Sequence, residues 1–338
     1  MPIAQILRRL IFCVMVVAGV AVITFAISHV IPGDPARMVA GDRASNEIVA
    51  HIRQVMGLDR SLPTQFAIYV RDLLSGDFGT SLRTGRPVAQ DLRAFLPATL
   101  ELGLTSLLLA VLVGVPLGVA SAVYKDGPID QVARTLSVAG ISMPVFWFGL
   151  ILILIFYAHL SLLPIGGRLS DDVLPPDRVT GFMLIDTLIA GDFEAFRSAV
   201  MHLILPASVL GFAQLGTITR QIRASMLDAL QEDYVRTARA NGLGGARIVF
   251  GHALRNALIP SVTLLGLLFG DLLYGAVLTE TVFAWPGIGS YVVNSIQALD
   301  FPAIMGFTII ASVGYVLINL CVDFIYLALD PQLRRAPA

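Results

Sequence analysis

Six apolar stretches, each about as long as a bilayer is thick, constrain this chain more than any other feature of it. They run from about Leu10 to Val30, Ala98 to Val123, Thr135 to Leu160, Leu203 to Ile222, Ser261 to Val282 and Ala303 to Leu329. A hydrocarbon core about 30 Å thick takes roughly 20 apolar residues as a helix. The stretches therefore predict an all-α integral membrane protein with six transmembrane helices. The rest of the 338 residues agrees, with 56% apolar and 14% charged, where soluble domains carry about 25% charged residues.

The first stretch follows Arg8-Arg9, which could also open a secretory or twin-arginine signal. Its apolar run is about 21 residues against about 7–15 for a signal core, and further spans follow, so it reads as a retained span. Ile31-Pro-Gly-Asp-Pro35 then breaks the helix, because proline restricts its predecessor and glycine opens the turn. Residues 36–97 are polar and of mixed charge. Amphipathic pieces at about Asn46–Met56 and Pro63–Leu74 predict a small folded cap rather than disorder. The expected division is 1–35 for the first helix, 36–97 for the cap and 98–335 for a five-helix core. Within the core, Tyr124–Arg134 is a short loop, Pro144 kinks the third span, and Ser161–His202 is a longer acidic loop. The middle of that loop, Thr180 to Ile189, is apolar enough to lie against the membrane or a partner.

Basic residues in short loops set orientation. They fall at Arg8 and Arg9, at Lys125 and Arg134, at Arg334 and Arg335, and around the loop after span four at Arg220, Arg223, Arg236, Arg239, Arg247 and Arg255. Phe283–Pro302 has none, and the basic residues of the long cap escape the rule. Both termini and the loop after span four are thus expected in the cytoplasm.

Several functions are excluded. A net charge of −1 and the lack of a basic cluster interleaved with aromatics give no nucleic-acid partner. Lys125 is the only lysine, so a phosphate-cradling Gly-x4-Gly-Lys-Ser/Thr loop cannot occur and nucleotide hydrolysis must come from another polypeptide. Cys13 and Cys321 lie inside apolar runs as packing residues. His29, His51, His159, His202 and His252 are scattered, with no His-Glu-x2-His or Gly-x-Ser-x-Gly, so no catalytic or metal-ligating residue is assigned. An autonomous secondary transporter would need inverted repeats and a relay of intramembrane charges, and Asp271 alone is too thin for one.

Charges inside spans are costly, by at least ~2.5 kcal/mol on insertion scales. Asp271 and Glu280 on span five, and Asn319 and Asp323 on span six, are therefore expected on a translocation path or a subunit seam. Ser312 and Tyr315 continue the span-six stripe, for which hydrogen bonding between helices is the competing reading. Gly114-x3-Gly118 and Gly266-x3-Gly270 let helices approach closely, within one chain or between subunits.

The polar island from Ser225 to Pro260 is the remaining feature. Helix formers dominate Asp228–Ala240, Asn241-Gly242 tolerates the left-handed conformation that ends a helix, and a second helical run covers about Ala246–Ala257 before Pro260 opens the next element. Composition alone leaves two readings, a membrane-surface connector or a docking device. The run Asp233-Tyr-Val-Arg-Thr-Ala-Arg-Ala-Asn-Gly-Leu243, then His252-Ala-Leu-Arg-Asn-Ala-Leu258, resembles the coupling loop of permease subunits in peptide-type ABC importers. Gly57-Leu-Asp-Arg60, Gly76-Asp-Phe-Gly79 and Trp285-Pro-Gly-Ile-Gly289 are similar to the same family, and the 161–202 insertion points to its dipeptide-permease subgroup. Three departures stand out. Arg236-Thr-Ala238 replaces an opening Glu-Ala-Ala, His252-Ala-Leu-Arg255 replaces Ile-x-Leu-Pro, and Gln332 follows Asp330-Pro331 where arginine is usual.

The resemblance implies a type I ABC importer permease bundle with an extracytoplasmic insertion after the first helix, in the bacterial cytoplasmic (inner) membrane. It implies that Asp233, Tyr234, Arg236, Thr237, Ala238, Arg239 and Gly242 couple to ATPase subunits. A second homologous permease subunit, two ATP-binding subunits and an extracytoplasmic peptide-binding protein would complete the machine. The chain would hold no cofactor, ATP and Mg being bound by the partner subunits. Dipeptides are the implied substrate, with oligopeptides, nickel or glutathione as alternatives.

Overall fold

The computed structural model describes residues 3–30, 35–41, 44–55 and 57–329. The break at Ile31–Asp34, the Asp330–Gln332 tail and Arg334-Arg335 lie outside the described residues. A backbone in lipid must satisfy its own hydrogen bonds, and the described chain is helical nearly throughout, with one isolated bridge between Thr80 and Pro87. In order the helices are α1 (Ile3–Val30), α2 (Pro35–Ala40), α3 (Asn46–Val55), α4 (Leu62–Leu74), α5 (Val88–Val123), α6 (Pro128–Ser142) and α7 (Val145–Leu152). There follow α8 (Met183–Ala190), α9 (Phe193–Gln231), α10 (Asp233–Ala240), α11 (Leu254–Val282), α12 (Ile288–Gln297) and α13 (Phe301–Leu329). Among the described residues, five helices are long and apolar enough to cross a membrane, or six if the bent pair Pro128–Ser142 and Val145–His159 counts as one span.

The chain divides into two compact units, Met1–Leu96 with Tyr291–Val316, and Pro97–Ser290 with Leu317–Ala338. In the first, residues 57–96 are folded by specific contacts. Phe25 of α1 meets Phe66 and Tyr69 of α4 with ring centroids 5.2 and 5.8 Å apart. Asp300 accepts from Ser81 Oγ (2.5 Å) and Arg83 N (3.1 Å), while Asp91 accepts from Thr84 Oγ1 (2.6 Å) and pairs with Arg86 (2.6 Å).

The second unit is built around α9, which packs against α6, α7, α8 and α11. Gly114, Gly118 and Gly266 of the two small-residue pairs make close contacts within the chain. Gly114 and Gly118 admit Ile218 and Ile222 of α9, and a Cβ on Gly118 would stand 2.8 Å from Thr219 O. A Cβ on Gly266 would strike the Val322 side chain of α13. The kink expected at Pro144 is a break instead. Met143 and Pro144 are extended (ψ 128° at both), and α6 and α7 meet at 108°. Proline excludes its predecessor from the helical region, so the chain turns rather than bends there. Pro260, expected to open a new element, lies inside α11, which runs straight into it from a π-helical segment at Arg247–Ala253.

Candidate functional site

The segment that follows α9 has its own small core. Glu232 is extended (φ −66°, ψ 152°), so the single helix expected over Asp228–Ala240 is two, α9 ending at Gln231 and α10 starting at Asp233. Hydrophobic residues three apart put Val235 and Ala238 on one face, where they are buried against Ile248, with Tyr234 and Leu243 at the margin. Asp233, Arg236, Thr237 and Arg239 are left on the exposed face. Arg236 pairs with Asp233 at 3.1 Å, and Thr237 Oγ1 donates to Asp233 O at 3.0 Å. The segment closes through Gly242 N to Arg239 O (3.0 Å) and Leu243 N to Ala238 O (3.1 Å), with Gly242 at φ +76°. That is the left-handed residue the sequence called for, and it is exposed. Of the residues expected to couple, Ala238 faces inward and shapes the loop, Tyr234 is half-buried, and the other five face out. Arg239 also borders an apolar cavity of about 630 Å³ between Val119 and Val123 of α5 and Ile248 and Phe250.

A second arrangement, not foreseen from the sequence, roots this segment. Asp130 of α6 is fully buried and accepts from Arg223 Nε (2.7 Å), Arg223 Nη2 (2.8 Å), Ser121 Oγ (2.6 Å) and Asp126 N (2.9 Å). Arg223 lies about two turns before the end of α9, so the pair pins that end of the helix to the α5–α6 corner. Nothing local signals it, since the partners are 93 residues apart.

The polar residues of the spans differ in burial. Asp271 is exposed on α11 and Asn319 is half-buried on α13, while the Asp323 side chain lies outside the described residues. Ser312 donates to Thr308 O of its own helix at 2.7 Å. Glu280 corrects the expectation of a path or seam position, because it is fully buried inside the unit. It accepts from Thr99 Oγ1 (2.5 Å) and Ser290 N (2.9 Å), and Ile288 N donates to Thr99 Oγ1 (2.8 Å). Gly287 and Gly289 leave it room: a Cβ on Gly289 would come within 2.8 Å of Glu280 Oε2. Trp285 is buried beside it, its Nε1 donating to Ala98 O at 2.9 Å. The Trp285–Gly289 turn thus wraps an internal carboxylate.

On the other side of α5, Glu101 pairs with Arg168 and accepts from Leu184 N of α8 at 2.8 Å. In the same helix Asp186 is buried and accepts from Thr180 N (2.7 Å), Thr180 Oγ1 (2.6 Å) and Gly181 N (2.8 Å). Burial pushes this carboxyl up, but the hydrogen bonds from Thr180 and Gly181 outweigh it and hold the group below the usual carboxylate range.

Candidate spans packed through glycine contacts, with a short helix holding a polar face exposed between two of them, are the architecture of a polytopic membrane protein. The chain belongs to the family described as binding-protein-dependent transport system inner membrane component, matched over residues 114–335, with the family's N-terminal component matched over residues 3–103. It is 61% identical over 322 residues to the probable D,D-dipeptide transport system permease protein of Escherichia coli K12, covering 95% of each chain. It is 43% identical over 333 residues to the dipeptide transport system permease protein of the same strain, covering 98% of each. Its fold is similar to an inward-facing structure of the MetNI methionine ABC transporter, with TM-score 0.51 and 16% identity over 69% of this chain and 93% of that one. This is a multi-pass inner-membrane permease of the type I importer fold.

Proposed function

We propose that the chain forms half of a transmembrane pathway for dipeptides, driven by ATP hydrolysis on separate subunits that seat on α10. The observation that carries this reading is the coupling segment itself. A helix of eight residues keeps a polar face exposed because a private core and a left-handed glycine hold it in one orientation, which is what a docking element needs and a passive connector does not. A second related permease, two ATP-binding subunits that hold ATP and Mg, and an external peptide-binding protein complete the assembly. Both termini and α10 face the cytoplasm. The dipeptide assignment is supported by the names of the two relatives, one of which specifies D,D-dipeptides.

Gly242→Val tests the reading. No neighbour crowds a Cβ there, but at φ +76° a β-branched residue is strained. A penalty of about 1–2 kcal/mol, roughly tenfold in an equilibrium, should appear as a misaimed α10. The variant should insert and pair with the sister permease, yet co-purify with less ATPase and lose uptake of radiolabelled L,L- and D,D-dipeptides, and Arg239→Glu should act more weakly. Normal ATPase retention and uptake in both would reduce the segment to a connector.

Asp271 is assigned to the path or subunit seam, because a carboxylate exposed on a span of this chain needs water or a partner against it. Asp271→Leu should change uptake or basal ATP hydrolysis with assembly intact. Unchanged values for both would make it a tolerated polar residue.

A further inference from the structure

Helix α8 is inside out. Its polar residues Asp186 and Thr187 are 4% and 0% exposed, while Ile185, Leu188 and Ile189 are 44%, 53% and 58% exposed. The outward residues fall at i, i+3 and i+4, a single continuous face, and Phe193, 76% exposed, extends it at the start of α9. We propose that this face is an interfacial lipid-binding surface, with α8 lying along the outer boundary of the bilayer and its three aliphatic side chains among the acyl chains.

Three observations favour acyl chains over water or a protein partner. The first is the pattern: in water a helix of this composition would turn these side chains inward, so its surroundings are apolar. The second is the treatment of the backbone. Four of the N–H groups leading into and opening α8, which water normally satisfies, are taken up by the protein: Thr180 and Gly181 donate to Asp186, Phe182 N to Thr180 Oγ1 (3.1 Å) and Leu184 N to Glu101. At the other end Gly191, left-handed at φ +69°, donates to Leu188 O and Asp192 N to Thr187 O, both at 3.1 Å. Such closure is what a medium without hydrogen-bonding groups demands. The third is position. Asp192 caps α9 through Ala195 N (2.9 Å), so α8 joins a candidate membrane span directly, with exposed Asp192 and Glu194 marking the polar rim beside it. None of the four outward side chains carries a hydrogen-bonding group, whereas a protein interface taken whole is about as polar as the rest of the surface.

The surface rests on the chain being a membrane protein and not on its substrate or energy source. The test uses the full chain within the transporter, reconstituted in phosphatidylethanolamine–phosphatidylglycerol liposomes, with Cys13 and Cys321 replaced by serine. A nitroxide is attached at Leu188→Cys or Ile189→Cys, and at Asn241→Cys after α10 as an aqueous reference. Its collisions with oxygen, which concentrates in acyl chains, are compared with those of a water-soluble nickel chelate. Strong oxygen and weak nickel relaxation at both α8 positions, reversed at Asn241, is the expected result. Strong nickel relaxation would place α8 in water, and immobile labels reached by neither agent would place it under a protein partner; either outcome overturns the proposal. Failure of dipeptide uptake in the same preparation would count against the proposed function and leave the α8 result standing.

Discussion

Helices α8 and α10 are each eight residues long and adjoin opposite ends of the same helix, α9, yet their faces are reversed. In α10 the apolar Val235 and Ala238 turn inward and the charges turn out, whereas in α8 Asp186 and Thr187 turn inward and the aliphatic side chains turn out. At 1.5 Å per residue the 39-residue α9 is about 58 Å long, well beyond a hydrocarbon core of about 30 Å. Its two ends can therefore meet different media. Helical period shows that a segment has two faces; it does not show which of them meets the chain. That choice follows the solvent, and the contrast between these helices reports the solvent at each end.

The hardest blow to this contrast is to unpin one end of α9. Arg223→Ala takes from the buried Asp130 carboxylate its bidentate partner and leaves only the half-exposed Arg134 at 3.6 Å, a loss of up to about 3–5 kcal/mol. The unfolding midpoint of the purified permease should fall, and ATPase co-purification with it, while the nitroxide pattern at α8 stays unchanged. Adding Asp130→Ala should restore much of the stability, because no under-compensated buried charge then remains. A single variant with wild-type stability would show that the pair does not hold α9.

Smaller effects come from giving the two helices the same change. Val235→Asn places an amide in the core beneath α10, at about 1–3 kcal/mol, and should expose residues 232–245 to limited proteolysis. Leu188→Asn should cost less, since an interface is milder than a core, but should still destabilise the protein in liposomes. Neutrality of Leu188→Asn in a bilayer would mean that water lies outside α8, and the comparison would collapse to two surface helices.

Much of the architecture was legible because it depends on local quantities. Run length and apolarity predicted the spans, and their absence of water forces helices. The Asn241-Gly242 pair predicted where α10 ends, and Gly242 does adopt the left-handed conformation. The polar island between spans four and five predicted a solvated segment, although not that Glu232 would divide it. What stayed hidden concerns sides and partners. Asp130 meets Arg223 across 93 residues, and Glu280 meets Thr99 across 181, so no window of sequence contains either pair. Glu280 and Asp271 are nine residues apart on one helix, yet one is fully buried and the other exposed. Thr180–Ile189 offered membrane or partner equally, because its apolar residues could have faced the chain. The sequence by itself determined that the chain is helical, that it carries long apolar spans and that the segment after α9 closes at Gly242, since these follow from backbone hydrogen bonding and side-chain transfer summed over neighbours. Only the tertiary structure decided which face of each helix is inside, because that depends on packing and charge pairing between segments distant in the chain.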